Sequence, residues 1–164
     1  MYNVNDTVIY SHCGVCRIDE IAVRDFSGEP AEYYVLRPVS DNKNTFYVPV
    51  NNENLTAQMR RILSREEIDE LIRVMPDENF IWIEDEFLRR EEYRKILKNG
   101  DRHELVKLIK TLYIHQQNCR ERKKKLHAAD ENFLKSAENL LYDEFAYVLG
   151  IEKSEVLPYI KQHI

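Results

Sequence analysis

Residues 5–49 read NDTVIYSHCGVCRIDEIAVRDFSGEPAEYYVLRPVSDNKNTFYVP, and this stretch decides the fold. Thr7–Tyr10 is β-branched and aromatic, and it follows the turn-forming Asn3–Asp6. Ser11–Gly14 makes the next turn. Val15–Val23 alternates only roughly, and neither of its sides is cleanly apolar, so the spacing predicts a strand shared between core and solvent. Phe26–Pro30, with Gly28 and Pro30, is a turn. Glu32–Arg37 has no polar residue at its centre and carries the strongest strand signal. Ser40–Asn44 is a loop by composition, and Thr45–Val50 returns as a strand. Pro49 has no amide hydrogen to give to a ladder, which places that strand at an edge or ends it in a bulge. Four or five short strands with short loops predict an SH3- or Tudor-like small β-barrel.

Beyond this stretch the apolar spacing lengthens from two to three or four and charge density rises. Asn51–Asn54 reads as a polar hinge, giving domains over residues 1–52 and 53–164. Ser64 and Glu67 form an S-x-x-E capping box, opening a helix with Ile68, Leu71, Ile72 and Met75 on one face and a stop at Pro76. A second helix is expected from about Ile83 to Lys98, with Phe87, Leu88, Tyr93, Ile96 and Leu97 inward and Asn99-Gly100 at its end. Asp101 caps a third, carrying Leu105, Leu108, Ile109, Leu112 and Tyr113 and running out into Arg120–Lys125. Asp130 is read as the cap of a fourth, with Phe133, Leu134, Ala137, Leu140, Leu141, Phe145 and Val148 buried and Gly150 terminal. Ser154–Ile164 closes the chain as a short helix. The fold class is therefore α+β: a small barrel, then an all-α domain of about five helices.

The totals narrow the function. The 164 residues are 43% hydrophobic and 32% charged, with a formal charge of −5, which argues against a surface coated in positive charge for nonspecific nucleic-acid binding. No apolar run approaches the roughly 20 residues that span a bilayer. The opening MYNVNDTVIY has neither a basic n-region nor an apolar h-region, so a cytoplasmic location is expected. Three cysteines make no disulfide framework. His12-Cys13-x-x-Cys16 invites a metal reading, but a closed zinc site needs four ligands and the one further cysteine is Cys119, so no metal or other cofactor is expected. The Cys pair falls in a β turn, without the helix N-terminus that lowers a thiol pKa. His103, His115 and His127 are spaced by twelve, too far apart along a helix to meet. There is no phosphate-cradling glycine loop and no Gly-x-Ser-x-Gly, and an enzyme is not expected.

Val4-Asn5-Asp6-Thr7-Val8-Ile9-Tyr10-Ser11-His12-Cys13-Gly14-Val15, then Glu32-Tyr33-Tyr34-Val35-Leu36, then Tyr47-Val48-Pro49 resembles the CarD/CdnL family of bacterial transcription regulators. Its small domain also occurs in the transcription-repair coupling factor. The second half is similar as well: a Trp before a helix, Asn99-Gly100-Asp101 between helices, and a Leu-rich helix pair ending in Tyr142-Asp143-Glu144-Phe145-Ala146. The resemblance implies a non-enzymatic protein whose Tudor-like domain holds the RNA polymerase β subunit through an exposed strand edge. It implies a helical domain at promoter DNA beside the upstream edge of the bubble, where a Trp wedges into the minor groove and stabilises the open complex. A monomer is the family-like expectation.

Carried over residue by residue, the polymerase-facing positions are Val23, Arg24, Asp25, Phe26 and Tyr47, with Tyr47 standing where some members have Arg. Phe26 and Tyr47 have a second reading, as covers of a small core. Trp82, the single Trp, is the DNA-facing candidate, with Arg89, Arg90 and Arg94 one or two turns later. Its other reading is a pin, with Phe80 and Ile83, that holds the loop to the bundle. Family members tend to follow this Trp with basic residues, whereas this chain has Glu84-Asp85-Glu86, which repels phosphate. Lys123 and Lys124 lie in the one strongly basic run, either a phosphate contact or a solvated helix end, with Lys107 and Lys110 before it on the same helix. Two functions follow: a regulator contacting polymerase and DNA, or an adaptor binding polymerase or another protein without touching DNA.

Overall fold

Residues 1–10, 13–77 and 82–163 are described by the computed structural model. His12 of the metal reading and Phe80 of the loop-pinning reading lie outside them. The chain divides into two units, Met1–Leu63 and Ser64–Ile164.

In the first unit, β1 (Thr7–Tyr10), β2 (Val15–Arg24), β3 (Ala31–Pro38), β4 (Phe46–Pro49) and β5 (Met59–Arg61) form one barrel-like antiparallel sheet in the order β4-β3-β2-β1-β5. Pro49 sits on an edge strand, where a missing donor is tolerated. The poor alternation of β2 has a structural cause. Its register against β3 shifts between Ile18, opposite Leu36, and Glu20, opposite Val35. The bulge resets the period, so Cys16 and Ile18 face the core before it and Ile21 after it, while Arg17, Asp19 and Glu20 share the outer face. Val8, Cys16, Ile18, Tyr34, Leu36, Val48 and Met59 fill the core.

The hinge expected at Asn51–Asn54 is instead ordered into a short helix, α1 (Glu53–Thr56). Asn52 caps it, accepting the Leu55 amide at 3.1 Å. The chain then adds β5, so the unit ends after the expected boundary at residue 52. The sequence gives little sign of β5: three residues, Met-Arg-Arg, are too few for a period, and only Met59 enters the core. Short, charged edge strands are a common defence against unwanted pairing.

The second unit holds α2 (Arg65–Val74), a 3-10 turn (Met75–Asp77), α3 (Glu86–Asn99), α4 (Arg102–Glu121), α5 (Ala128–Leu149) and α6 (Lys153–His163). The Ser64 capping box is formed in both directions: the Glu67 amide donates to Ser64 Oγ at 3.2 Å, and the Ser64 amide to Glu67 Oε2 at 2.7 Å. Gly100 and Gly150 close α3 and α5 in the left-handed conformation, at φ 61° and 67°. Tyr93, Ile96, Leu105, Leu108, Leu112, Leu134 and Ala137 form a core cluster. No helix among the described residues is long and apolar enough to cross a membrane.

Several sequence expectations need correcting here. α3 starts at Glu86 rather than near Ile83, because the Asp85 carboxylate caps it through the Leu88 amide at 2.9 Å. Phe87 and Leu88, expected inside, are 70% and 57% exposed, and the inward position of that turn belongs to Arg89. The stripe of Tyr93, Ile96 and Leu97 extends backward by four residues to Arg89, not to Phe87. Asp130 does not cap α5: the cap position is His127, and Asp130 lies inside the first turn, buried. Tyr113 is also partly exposed, and Leu149 rather than Val148 completes the α5 face.

Candidate functional site

The barrel presents an aromatic group outside its core. Phe26, just past β2, packs edge-to-face on Tyr33 of β3 and on Tyr47 of β4, with ring centroids 5.1 and 5.0 Å apart. Phe26 and Tyr47 are 59% and 43% exposed. They cap the outer face of the sheet, with Val35 opposite Tyr47 beneath, rather than the core face. Arg24 lies on the same outer face by alternation and pairs with Glu20 at 2.6 Å. The Asp25 carboxylate accepts the Gly28 amide at 2.7 Å, so it shapes the turn that presents Phe26. Val23 is exposed, but alternation points it to the face opposite Arg24. Of the five barrel candidates, the fold packs Phe26 and Tyr47 together, sets Arg24 on the same face, and adds Tyr33, which sequence reasoning left as an ordinary strand residue.

In the helical unit, Trp82 is held on both faces. The His115 imidazole of α4 stacks on it at 3.6 Å with 11° between the planes. The Arg89 guanidinium carbon lies 4.6 Å from the ring centroid, and a stacked imidazole leaves it no room on the same face. Arg89 in turn forms a two-pronged ion pair with Asp130 of α5, Nε to Oδ1 at 3.0 Å and Nη2 to Oδ2 at 2.9 Å. Its third nitrogen, Nη1, donates to the backbone carbonyls of Ile83 and Glu84 at 2.9 and 3.4 Å. The side chains of this pair are 5% and 1% exposed. The Asp130 hydrogen bond raises the already high Arg89 pKa against the opposing pull of burial, and burial pushes the neighbouring Tyr93 phenol up to about 12. Arg89, expected at phosphate, is therefore consumed in holding the Trp82 segment against α5.

His115 is held below its ordinary value of 6.5, first by burial. Arg89 and His127 push the same way, while Asp130 and Glu84 oppose them. His127 acts on His115 because the chain reverses between α4 and α5, which the spacing of twelve along one helix did not anticipate. The unfolded chain titrates at the ordinary value, so between the two pKa values it binds more protons than the folded protein. Stability should consequently fall as pH drops through about 6.5 and level off below the folded pKa. Urea midpoints at about pH 7.5 and about pH 5 measure this, and His115→Phe, which keeps a stacked ring, should reduce the difference. An equal difference in both proteins would remove His115 as its source.

The remaining cations divide sharply. Arg90 pairs with Glu86, and Arg94 with Glu91 at 2.8 Å. Residues 84–98 hold five acidic and five basic side chains, so this segment carries no net positive charge. Lys107 pairs with Glu104 at 3.6 Å, and Lys110 Nζ donates to the Met75 carbonyl at 3.1 Å, so neither extends a free stripe. Arg120, Arg122, Lys123, Lys124 and Lys125 are all exposed. Lys123 adopts φ 56°, and the Lys124 amide donates back to the Cys119 carbonyl at 2.7 Å, ending α4 in a left-handed turn on a residue with a side chain. That conformation is disfavoured for any residue but Gly, Asn and Asp.

Among the described residues no group of three or more His, Cys, Asp or Glu is placed to hold a metal. Burial pushes the Cys16 thiol up to about 12 and raises Cys13 as well, so neither supplies thiolate near neutral pH.

Comparison with known protein families settles the relationship. A family model described as the CarD-like/TRCF RID domain matches residues 2–63, and one described as the CarD C-terminal domain matches residues 71–161. The chain belongs to the CarD-like family. The two matches meet the two structural units, and the first ends at Leu63, where the barrel unit ends. As a CarD-like protein it is a transcription-associated, RNA polymerase-interacting protein, in a family of non-enzymatic regulators.

Proposed function

We propose that this CarD-like protein regulates transcription by docking on the RNA polymerase β subunit through the outer face of its barrel, around Arg24, Phe26 and Tyr47. Its helical unit then approaches promoter DNA near the upstream edge of the bubble and modulates open-complex stability. The observation that carries the reading is the exposed Phe26–Tyr33–Tyr47 group beside edge strand β4, in the domain matched as polymerase-interacting. Exposed aromatics with an adjacent arginine have the composition of protein interfaces rather than of solvated surface. The protein acts as a monomer in the cytoplasm, reaching the nucleoid through polymerase.

For the DNA contact, support shifts from Arg89, Arg90 and Arg94 toward Lys123 and Lys124, whose neighbours are cations rather than matched carboxylates. Trp82 enters as a contact through its ring edge, since both ring faces are occupied. An adaptor that never touches DNA remains the second reading, favoured by the balanced charge around α3. Titrating promoter-DNA binding of the full chain with salt distinguishes the two. Phosphate contact gives a steep loss with salt, and Lys123→Glu/Lys124→Glu should flatten that slope by roughly two counterions. No binding at low salt leaves the adaptor.

A further inference from the structure

The outer face of the barrel has a second feature, at the end away from Phe26. Arg17 of β2 and Arg37 of β3 are directly opposed across the strands. Two like charges so placed repel. Asp19, kept on this face beside the bulge, lies between them: its Oδ1 accepts Arg17 Nε at 2.8 Å, and its Oδ2 pairs with Arg37 Nε at 3.0 Å. One carboxylate thus orients two guanidiniums through their inner nitrogens, and among the described residues their Nη groups form no hydrogen bond to the protein. Arg17 and Arg37 line a hollow of about 160 Å³ together with Pro38, Val39 and Asn42. Two cations against one anion leave one positive charge unmatched, and the Nη groups supply fixed donors for a planar oxyanion.

We infer that Arg17 and Arg37, oriented by Asp19, form a subsite that takes a carboxylate side chain of the polypeptide docked on the outer face of the barrel. The inference rests on the reading of that face as the polymerase-docking surface and names the chemistry it seeks there. The subsite is continuous with it, since Arg37, Val35 and Tyr33 follow one another on one side of β3, with Tyr47 beside Val35. A carboxylate fits better than a nucleic-acid phosphate. Arg17, Arg24 and Arg37 share this face with Asp19 and Glu20, leaving one net positive charge where a phosphate backbone needs a row. The aromatic rings are engaged edge-to-face with one another rather than offered for base stacking.

The test is binding of the full chain to RNA polymerase core, with unfolding midpoints alongside. Arg17→Gln/Arg37→Gln should weaken binding roughly tenfold and reduce its salt dependence. Asp19→Asn keeps both cations but can anchor only one of them, so it should weaken binding by less than the double variant, whereas a purely structural cluster would weaken both equally and lower both unfolding midpoints. If the double variant binds within about twofold of wild type while Phe26→Ala loses affinity, the subsite is wrong and the docking face stands. If the double variant loses affinity for duplex DNA and keeps polymerase, the ligand is phosphate and the inference fails. No binding by wild type overturns the docking face itself, and the subsite with it.

Discussion

Asp130→Ala should destabilise the helical unit by about 3–5 kcal/mol, the cost of leaving a buried cation without its partner. Arg89 would keep its charge at 5% exposure, with only backbone carbonyls and the Trp82 ring to stabilise it. The loss should reach Trp82 before the unit unfolds, because the same guanidinium bonds the carbonyls of Ile83 and Glu84. Trp82 is the only Trp, so native-state fluorescence reports on this site alone, and its emission should move toward that of an exposed indole. Removing both charges is a different experiment. Arg89→Met/Asp130→Leu replaces the pair with apolar volume and should cost far less than the single change. Arg94→Ala, which breaks an exposed pair with Glu91, should lie within about 0.5 kcal/mol of wild type. An Asp130→Ala cost below about 1 kcal/mol would show that water reaches Arg89, and its role in holding Trp82 would fall.

Why this pair stayed hidden in the sequence is a matter of what periodicity can see. Patterns of apolar residues locate helices and their inward faces, and Tyr93, Ile96, Leu105, Leu108 and Leu112 all went where the spacing put them. A buried arginine reads as a surface residue in any such pattern. Asp130 was equally ambiguous, since an acidic residue suits both the cap and the first turn of a helix, and only the partner 41 residues away decides between them. The Ser64 box was legible because both of its partners are local. In the barrel, four of five strands were readable from alternation and turn residues, while β5 needed its partner β1 to become a strand. The failed alternation in β2 was itself a signal of the Asp19 bulge. The aromatic group shows the same limit: Phe26 and Tyr47 were singled out, but Tyr33 joined them only once the strands were paired.

Phe26→Ala/Tyr47→Ala should weaken binding to RNA polymerase core by more than about thirtyfold, roughly 2 kcal/mol, the scale of interface hot spots. Both side chains are substantially exposed in the free protein and lie outside the main core cluster, so truncating them uncovers chiefly Val35 and should shift the unfolding midpoint far less than it shifts affinity. Separating affinity from stability excludes the reading in which these rings merely cover a small hydrophobic centre. Two single changes then locate the face. Arg24→Glu sets a carboxylate beside Glu20, its present partner, on the side that carries Phe26, and should also reduce affinity. Val23→Ala alters an equally exposed apolar residue on the opposite side of the strand and should leave affinity within about twofold. If Val23→Ala instead costs as much as Phe26→Ala, the partner grips the end of β2 from both sides, and the outer face is only part of the contact. If neither changes affinity while wild type still binds, the rings are not the anchor, and the exposed backbone of β4 becomes the surface to test.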